Sequence, residues 1–409
     1  MKKINLLRMM TLLLALLLSF SVVACTAKNG QQETEPASSG SEPVSEAPTS
    51  AVTEPAEEET TLPVTTEPLA EKRGENDPFT VVDMGGREVS FDGAIKKAFA
   101  ANPMGIILIE TMDFDKLGGY SSKLSEAQKE YIPEKYWDLP DLGAWSTATP
   151  TANIEELVKA DIDVIIVIQQ MTEKVKQMAE NIQSQTGIPT VLVSSDLDQL
   201  AESYHVMGEL FDDEERATIL ADYFTTELNE LAALIGQVPE ADRYSVYYAE
   251  GTDALETDPA GSFHTQVFDF LGLKNVAEVA ENTTNGFVGQ SQVSLEQVIA
   301  WDPDYIIRNA SGTGSSENVS VKDMLAADEW AGLRAVQNGN VYATPALPYN
   351  WIDRPPSVIR LIGIKWLANL MYPDVFQYDI YAEAQEFFSL FLNIDLSNEQ
   401  LDKILANSK

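Results

Sequence analysis

Asn153-Ile-Glu-Glu-Leu-Val-Lys-Ala-Asp-Ile-Asp-Val-Ile-Ile-Val167 is matched without a gap by Ser294-Leu-Glu-Gln-Val-Ile-Ala-Trp-Asp-Pro-Asp-Tyr-Ile-Ile-Arg308. Glu155/Glu296, Asp161/Asp302, Asp163/Asp304, Ile165/Ile306 and Ile166/Ile307 are identical pairs. Each copy opens on a capping-box pattern, Asn153 with Glu156 and Ser294 with Gln297. The side chains of such a box satisfy the free amides at a helix start. A short helix, an Asp-x-Asp turn and an apolar run then follow, and the run reads as a buried strand. One helix–turn–strand unit used twice predicts two similar α/β lobes. Two lobes make a cleft, which is where small ligands bind.

The rest of the chain extends this pattern. Phe79 to Phe91 reads as two short strands about Gly85-Gly86, and Lys97–Ala101 as a strand closed by Asn102-Pro103. Gly105–Met112, the region near 172–184 and the long stretch 198–236 read as helices, the last with a break at Phe211-Asp212-Asp213. Strands are expected at Thr190–Val193, Tyr244–Ala249 and within Asn338–Thr344. Asn350 to Ser357, with Pro355-Pro356, is expected to precede an apolar helix ending near Met371, since proline suits a helix start, and Ser397 is expected to cap the last helix. Strands alternating with helices imply a mainly parallel sheet.

The first residues carry a different message. Lys2, Lys3 and Arg8 precede the apolar stretch Leu12–Val23, which is too short for a permanent membrane span. It ends at Val22-Val23-Ala24-Cys25, a bacterial lipobox pattern, so residues 1–24 read as a lipoprotein signal peptide and Cys25 as the lipidated residue. Cys25 is the chain's one cysteine, which excludes a disulfide framework and a thiolate metal site. Residues 25–78 are rich in Glu, Ser, Thr and Pro and read as a disordered stalk. The expected location is the outer face of the cytoplasmic membrane, and the long stalk fits a Gram-positive-type envelope. The formal net charge of −37 argues against nucleic acid as a partner.

Taken together, Val82-Asp-Met-Gly-Gly-Arg-Glu-Val89, the two acidic helix–strand units, Trp330 to Tyr342 and Arg354-Pro-Pro-Ser357 resemble the metal-chelate class of ABC-transporter substrate-binding lipoproteins. Members bind ferric siderophores, haem, cobalamin or related chelates. The resemblance covers nearly all of residues 79–409. It implies two Rossmann-like lobes joined by a long rigid helix, with the ligand cleft between them. The corresponding divisions are an N-terminal lobe at 79–213, a connecting helix at 214–238 and a C-terminal lobe with terminal helices at 239–409. It also implies a monomer that delivers a chelate to an ABC permease with its ATPase, with Glu155 and Glu296 meeting arginines of that permease. No cofactor and no resident metal are implied.

Ligand contacts are expected from loops at the carboxyl ends of strands. In the first lobe these are Met104 beside Asn102, Trp145 beside Gly143, and Gln169 with Gln170. In the second they are Tyr248, Glu250, Glu256, Ser262, His264, Asn309, Tyr349, Trp351 and Arg354. Trp351 and Arg354 form the leading pair, a flat apolar face beside a guanidinium fork suited to carboxylate or phenolate oxygens. Against this, Arg354 can brace its own loop through Asp353, and large aromatics are mostly core residues. His264 suits an anionic ligand or an open position on a chelated metal. Met104 with His264 is a further pair for haem iron. With two histidines in the chain, a bare zinc or manganese site is a poor reading. A sugar or peptide binder and a lipid-anchored hydrolase with paired carboxylates stay open as alternatives.

Overall fold

The structure is a computed structural model that describes residues 72–145, 150–284, 287–309, 320–406 and 408. Cys25, the signal peptide and most of the 25–78 stalk lie outside the described residues. Arg73 already docks on the folded unit. Its amide donates to Asp212 Oδ2 at 2.8 Å and its guanidinium stacks over Phe79.

Two separate parallel sheets carry the fold. The first orders Ala98–Ala100, Val164–Gln169 and Thr190–Ser194. The second orders Val341–Ala343, Tyr305–Arg308, Ser245–Ala249 and Lys274–Asn275. An α/β chain with parallel sheets is therefore what the sequence specifies. The strands are buried on both faces, because helices cover each sheet on two sides. Val164, Ile166 and Ile168 point into a central core, and Ile165 and Val167 into an outer one. In the second sheet Val246, Tyr248, Tyr305 and Ile307 join the same central core, while Tyr247, Ala249 and Ile306 face a third cluster. The central core thus takes one face of each sheet, and each remaining face has its own helical cover.

The duplicated unit recurs in three dimensions. The helices Ile154–Lys159 and Leu295–Trp301 start at Asn153 and Ser294, whose side chains accept from the first-turn amides. Asp161 and Asp302 both take the left-handed conformation, with φ of 58° and 42°. That region is sparsely used by L-residues, and Asp is among those that enter it. Asp163 Oδ2 then accepts from the amides of Lys96 and Lys97 at 2.7 and 2.8 Å, just before the neighbouring strand begins. Asp304 Oδ2 does the same for Ser245 N at 2.9 Å in the second sheet. The Asp-x-Asp signature is therefore a turn residue followed by a clamp on the adjacent strand.

Between the two sheets in sequence run the helices Leu200–Phe211 and Glu214–Ile235, separated at the left-handed Asp212. The late helix Arg360–Met371 is buried nearly all round. Its Lys365 is 4% exposed and pairs with Glu227 and Glu383, one on each flanking helix. The prolines 355 and 356 stand outside this helix, which begins at Arg360, and Arg354–Pro355 is a cis peptide. The last helix, Asn398–Leu405, starts at a complete Ser397/Gln400 capping box.

Candidate functional site

The parallel strands Ala98–Ala100, Val164–Gln169, Thr190–Ser194, Ser245–Ala249 and Tyr305–Arg308 each end at a loop carrying polar side chains, as open α/β sheets generally do. Asn102 follows the first strand, caps the helix Pro103–Asp113 and donates to Ile168 O at 2.9 Å. Gln170 follows the second strand and Asp196 the third, and Gln170 Nε2 donates to Asp196 Oδ1 at 2.9 Å. On the other sheet Glu250 follows Ser245–Ala249 and Asn309 follows Tyr305–Arg308. Asn309 Nδ2 donates to Glu250 Oε1 at 2.9 Å.

The loop 344–354 completes the site. Asn350 organises it: Nδ2 donates to Asn309 Oδ1 at 2.8 Å and to Thr344 Oγ1 at 3.0 Å, and Oδ1 accepts from Ile352 N and Asp353 N. Arg354, at φ 59°, is held in the left-handed region, a strain that surrounding contacts must hold in place. Its Nε donates to Glu250 Oε1 at 2.6 Å, and its Nη2 to Asp258 Oδ2. Asp353, fully buried, accepts from Arg360 Nη2 at 3.0 Å and from His264 Nδ1 at 2.8 Å. Arg360 continues to Gln266 Oε1 at 3.0 Å. Gln266 reaches the first sheet's loops, donating to Asp196 Oδ1 at 2.8 Å and accepting from Leu197 N at 3.1 Å. One unbroken polar chain thus runs from Glu250 to Gln170, across both sheets.

Charge is balanced inside this chain. Burial alone would raise the Asp353 carboxyl, but His264, Arg354 and Arg360 outweigh it and hold it below its ordinary value. Asp353 is therefore an acceptor, so His264 carries its proton on Nδ1 and keeps Nε2 for another partner. Burial also opposes the charge on Glu250, yet Arg354 keeps it ionised. Asp258 goes the other way: burial and the adjacent Glu250 carboxylate push it up to about 9. One proton is therefore kept between the two carboxyls, on Asp258. Arg354 is raised because Glu250, Asp353 and Asp258 together overcome its burial. Asp258, His264 and Asp353 offer one nitrogen and two oxygens within 4.8 Å of one another. Arg354 and Arg360 both face the Asp353 carboxylate and Asp258 keeps its proton, so the trio carries no uncompensated negative charge.

The side chains singled out in the sequence fall into two groups. His264, Asn309 and Arg354 belong to the network, and Ser262 supports it by accepting from His264 N at 3.3 Å. Gln169 ends its strand, half-buried, beside Gln170. Glu256 pairs by backbone with Glu250 and holds that loop. Trp145 is half-buried against the first sheet's outer cluster. Trp351, Tyr248 and Met104 are packed in the central core, and Trp351 exposes no surface. Tyr349 is also buried, and its hydroxyl donates to Glu110 Oε2 at 2.6 Å. Arg360, Gln266, Asp196, Asp258 and Glu110 were not anticipated. Two of them left a trace: Glu110 ends the apolar run Gly105-Ile-Ile-Leu-Ile-Glu110, and Arg360 opens an apolar helix. A lone charge in such a run is a buried group with a partner.

Two parallel sheets with a polar network at their carboxyl ends form the arrangement at which open α/β proteins bind small ligands. The chain belongs to the periplasmic binding protein family, whose sequence profile matches residues 113–347, more than half of it. It is similar to the molybdate-binding protein MolA of Haemophilus influenzae, 26% identical over 56% of this chain and 66% of that one. It is also similar to the iron-uptake system-binding protein of Bacillus subtilis, 25% identical over 59% of this chain and 73% of that one. Among solved structures, an ABC transporter solute binding protein from Sulfurospirillum deleyianum is 30% identical. It superposes with a TM-score of 0.71 over 80% of this chain and 99% of its own. These relatives are binding proteins and not enzymes, and the hydrolase alternative is set aside on that ground.

Proposed function

We propose that this protein captures a metal chelate, a ferric siderophore first, at the loops where its two sheets end, and hands it to an ABC permease with its ATPase. Haem and cobalamin are the alternatives within the same fold. The observation that carries the reading is the polar chain from Glu250 to Gln170. It couples the strand-end loops of both sheets, so a ligand that touches His264, Asn309 or Arg354 is sensed by both. The similarity to an iron-uptake binding protein supports the same class. Glu155 and Glu296 are the permease contacts, Cys25 the lipid anchor, and the working form is a monomer.

A second reading is a small oxyanion, favoured by the likeness to a molybdate-binding protein and by Arg354 beside the imidazole of His264. Intrinsic tryptophan fluorescence separates the two. The purified protein is titrated with ferric siderophores, haem, cobalamin and molybdate. A response to ferric chelates is expected. A response to molybdate alone supports the oxyanion, and a response only to a sugar or peptide overturns both.

A further inference from the structure

The internal repeat allows one lobe to be compared with the other, position by position, at the protein surface. Glu155 and Glu296 are identical and exposed, and among the described residues neither enters an ion pair. Their immediate neighbours diverge. Glu156, paired with Lys159, corresponds to Gln297, and Lys159 itself corresponds to Ala300. One further surface position does not diverge. Val158 and Ile299 are repeat equivalents, both β-branched aliphatic residues, and they are 58% and 47% exposed. They are two of the eight large hydrophobic residues exposed among the described residues.

Folding does not explain these two side chains. A half-exposed aliphatic buries little, and β-branching lowers helix propensity. Single exposed apolar residues are ordinary on a surface. Two at equivalent places, each on a short helix with the same unpaired glutamate, are not accounted for that way. Residues three apart on a helix lie on the same face. Each lobe therefore presents a carboxylate and an aliphatic side chain side by side, Glu155 with Val158 and Glu296 with Ile299.

We propose that Val158 and Ile299 add a matched apolar contact, one per lobe, to the two acidic docking points, each seating in an apolar hollow of the permease beside the cation that its neighbouring glutamate meets. The proposal rests on the permease reading above and adds the apolar half of the contact. The glutamates steer the approach, since charge complementarity acts mainly on the association rate and its salt dependence. The aliphatic residues hold the docked state by excluding water around the ion pair, as the contacts that surround an interface hot spot do.

The test measures binding of the ligand-loaded protein to its cognate permease and ATPase, reconstituted in nanodiscs, over a range of salt. Val158→Ser and Ile299→Ser are each expected to weaken binding several-fold, and the pair by more than tenfold. The loss falls on the dissociation rate with the salt dependence unchanged. Glu155→Gln with Glu296→Gln should instead slow association and flatten the salt dependence. Ile219→Ser, a 47% exposed aliphatic on the helix Glu214–Ile235, should change nothing. All these variants should keep the melting temperature and the ligand affinity, because the altered side chains lie at the surface. Full permease affinity in the double serine variant overturns the proposal. If the double glutamine variant still loses affinity, the permease reading itself survives. If neither double variant loses affinity, both fail. An equal loss with Ile219→Ser means a general surface effect and also overturns it.

Discussion

Tyr349 donates its hydroxyl to the buried carboxyl of Glu110 at 2.6 Å, and this bond ties the helix Pro103–Asp113 to the loop that carries Arg354. The other oxygen, Glu110 Oε1, is buried with no partner among the described residues. The group is consequently kept as the neutral acid: burial pushes it up to about 8, against the smaller opposing effect of Tyr349. A proton at Glu110 is part of the folded structure at neutral pH.

The sign of the resulting pH dependence follows. Between the ordinary carboxyl value of 4.5 and about 8 the folded chain holds a proton that the unfolded chain has released. Stability from this group is therefore full below the lower value and falls as pH rises to about 8. Glu110→Gln keeps an acceptor for Tyr349 and removes the titration. Its stability relative to the parent should rise from pH 5 to pH 8, by on the order of a few kcal/mol at most. Urea melts at the two pH values check this, and a constant difference would mean that Glu110 is ionised when folded.

Gly363 faces the backbone carbonyl of Trp351, and a β-carbon built at Gly363 would overlap that oxygen. The clash is with backbone, which cannot swing aside. Gly363→Ala should cost about 2 kcal/mol or more. It should also shift the loop bearing Asp353 and Arg354, so ligand affinity should fall with stability. Thermal melts alongside fluorescence titration read both, and a silent Gly363→Ala would show that the loop is loosely seated.

Lys365 bridges Glu227 and Glu383 from a nearly buried position. Burial disfavours its charge, but the two carboxylates outweigh that and raise it above the ordinary lysine value. Lys365→Ala leaves two partly buried carboxylates without a cation and should destabilise by about 3 kcal/mol. Lys365→Met with Glu227→Gln and Glu383→Gln should recover much of the loss, because no uncompensated charge remains. Chemical denaturation of the three proteins is the measurement.

Arg354 uses its fork on two acids at once, Nε on Glu250 and Nη2 on Asp258. Lysine keeps the charge but is a single point donor. Arg354→Lys should therefore weaken ligand binding by tenfold or more while the fold persists. Unchanged affinity in a fluorescence titration would separate the network from ligand recognition.

Cys25→Ala is predicted to leave the protein unanchored or unprocessed, since one thiol is the sole expected lipid attachment. Fractionation of cells into membrane and medium decides it. Normal processing with full membrane retention would remove the lipoprotein proposal.

The amino-acid sequence by itself determined the layout. The repeat placed both helix–turn–strand units, because capping residues, aspartates able to enter the left-handed region and apolar runs are local signals. Asn153, Asp161 and Ile166 need no distant partner to be read, and the same holds for Ser294, Asp302 and Ile307. The proline-bearing segment Asn350 to Ser357 could likewise be read as lying before the helix Arg360–Met371, since proline is a local signal. The order of the strands and the split of each strand between two cores came only with the packed structure. Only the tertiary structure decided the site. Arg354 and Trp351 are three residues apart, yet one reaches Glu250 and Asp258 while the other is sealed in the central core. Asp258 and His264 lie on one stretch of chain, Asp353 and Arg360 on another far from it, and the charge states of Asp258 and Asp353 depend on burial and on neighbouring groups. Periodicity says which face of an element is apolar, but a buried ion network is set by which loops meet, and that is a property of the packed molecule.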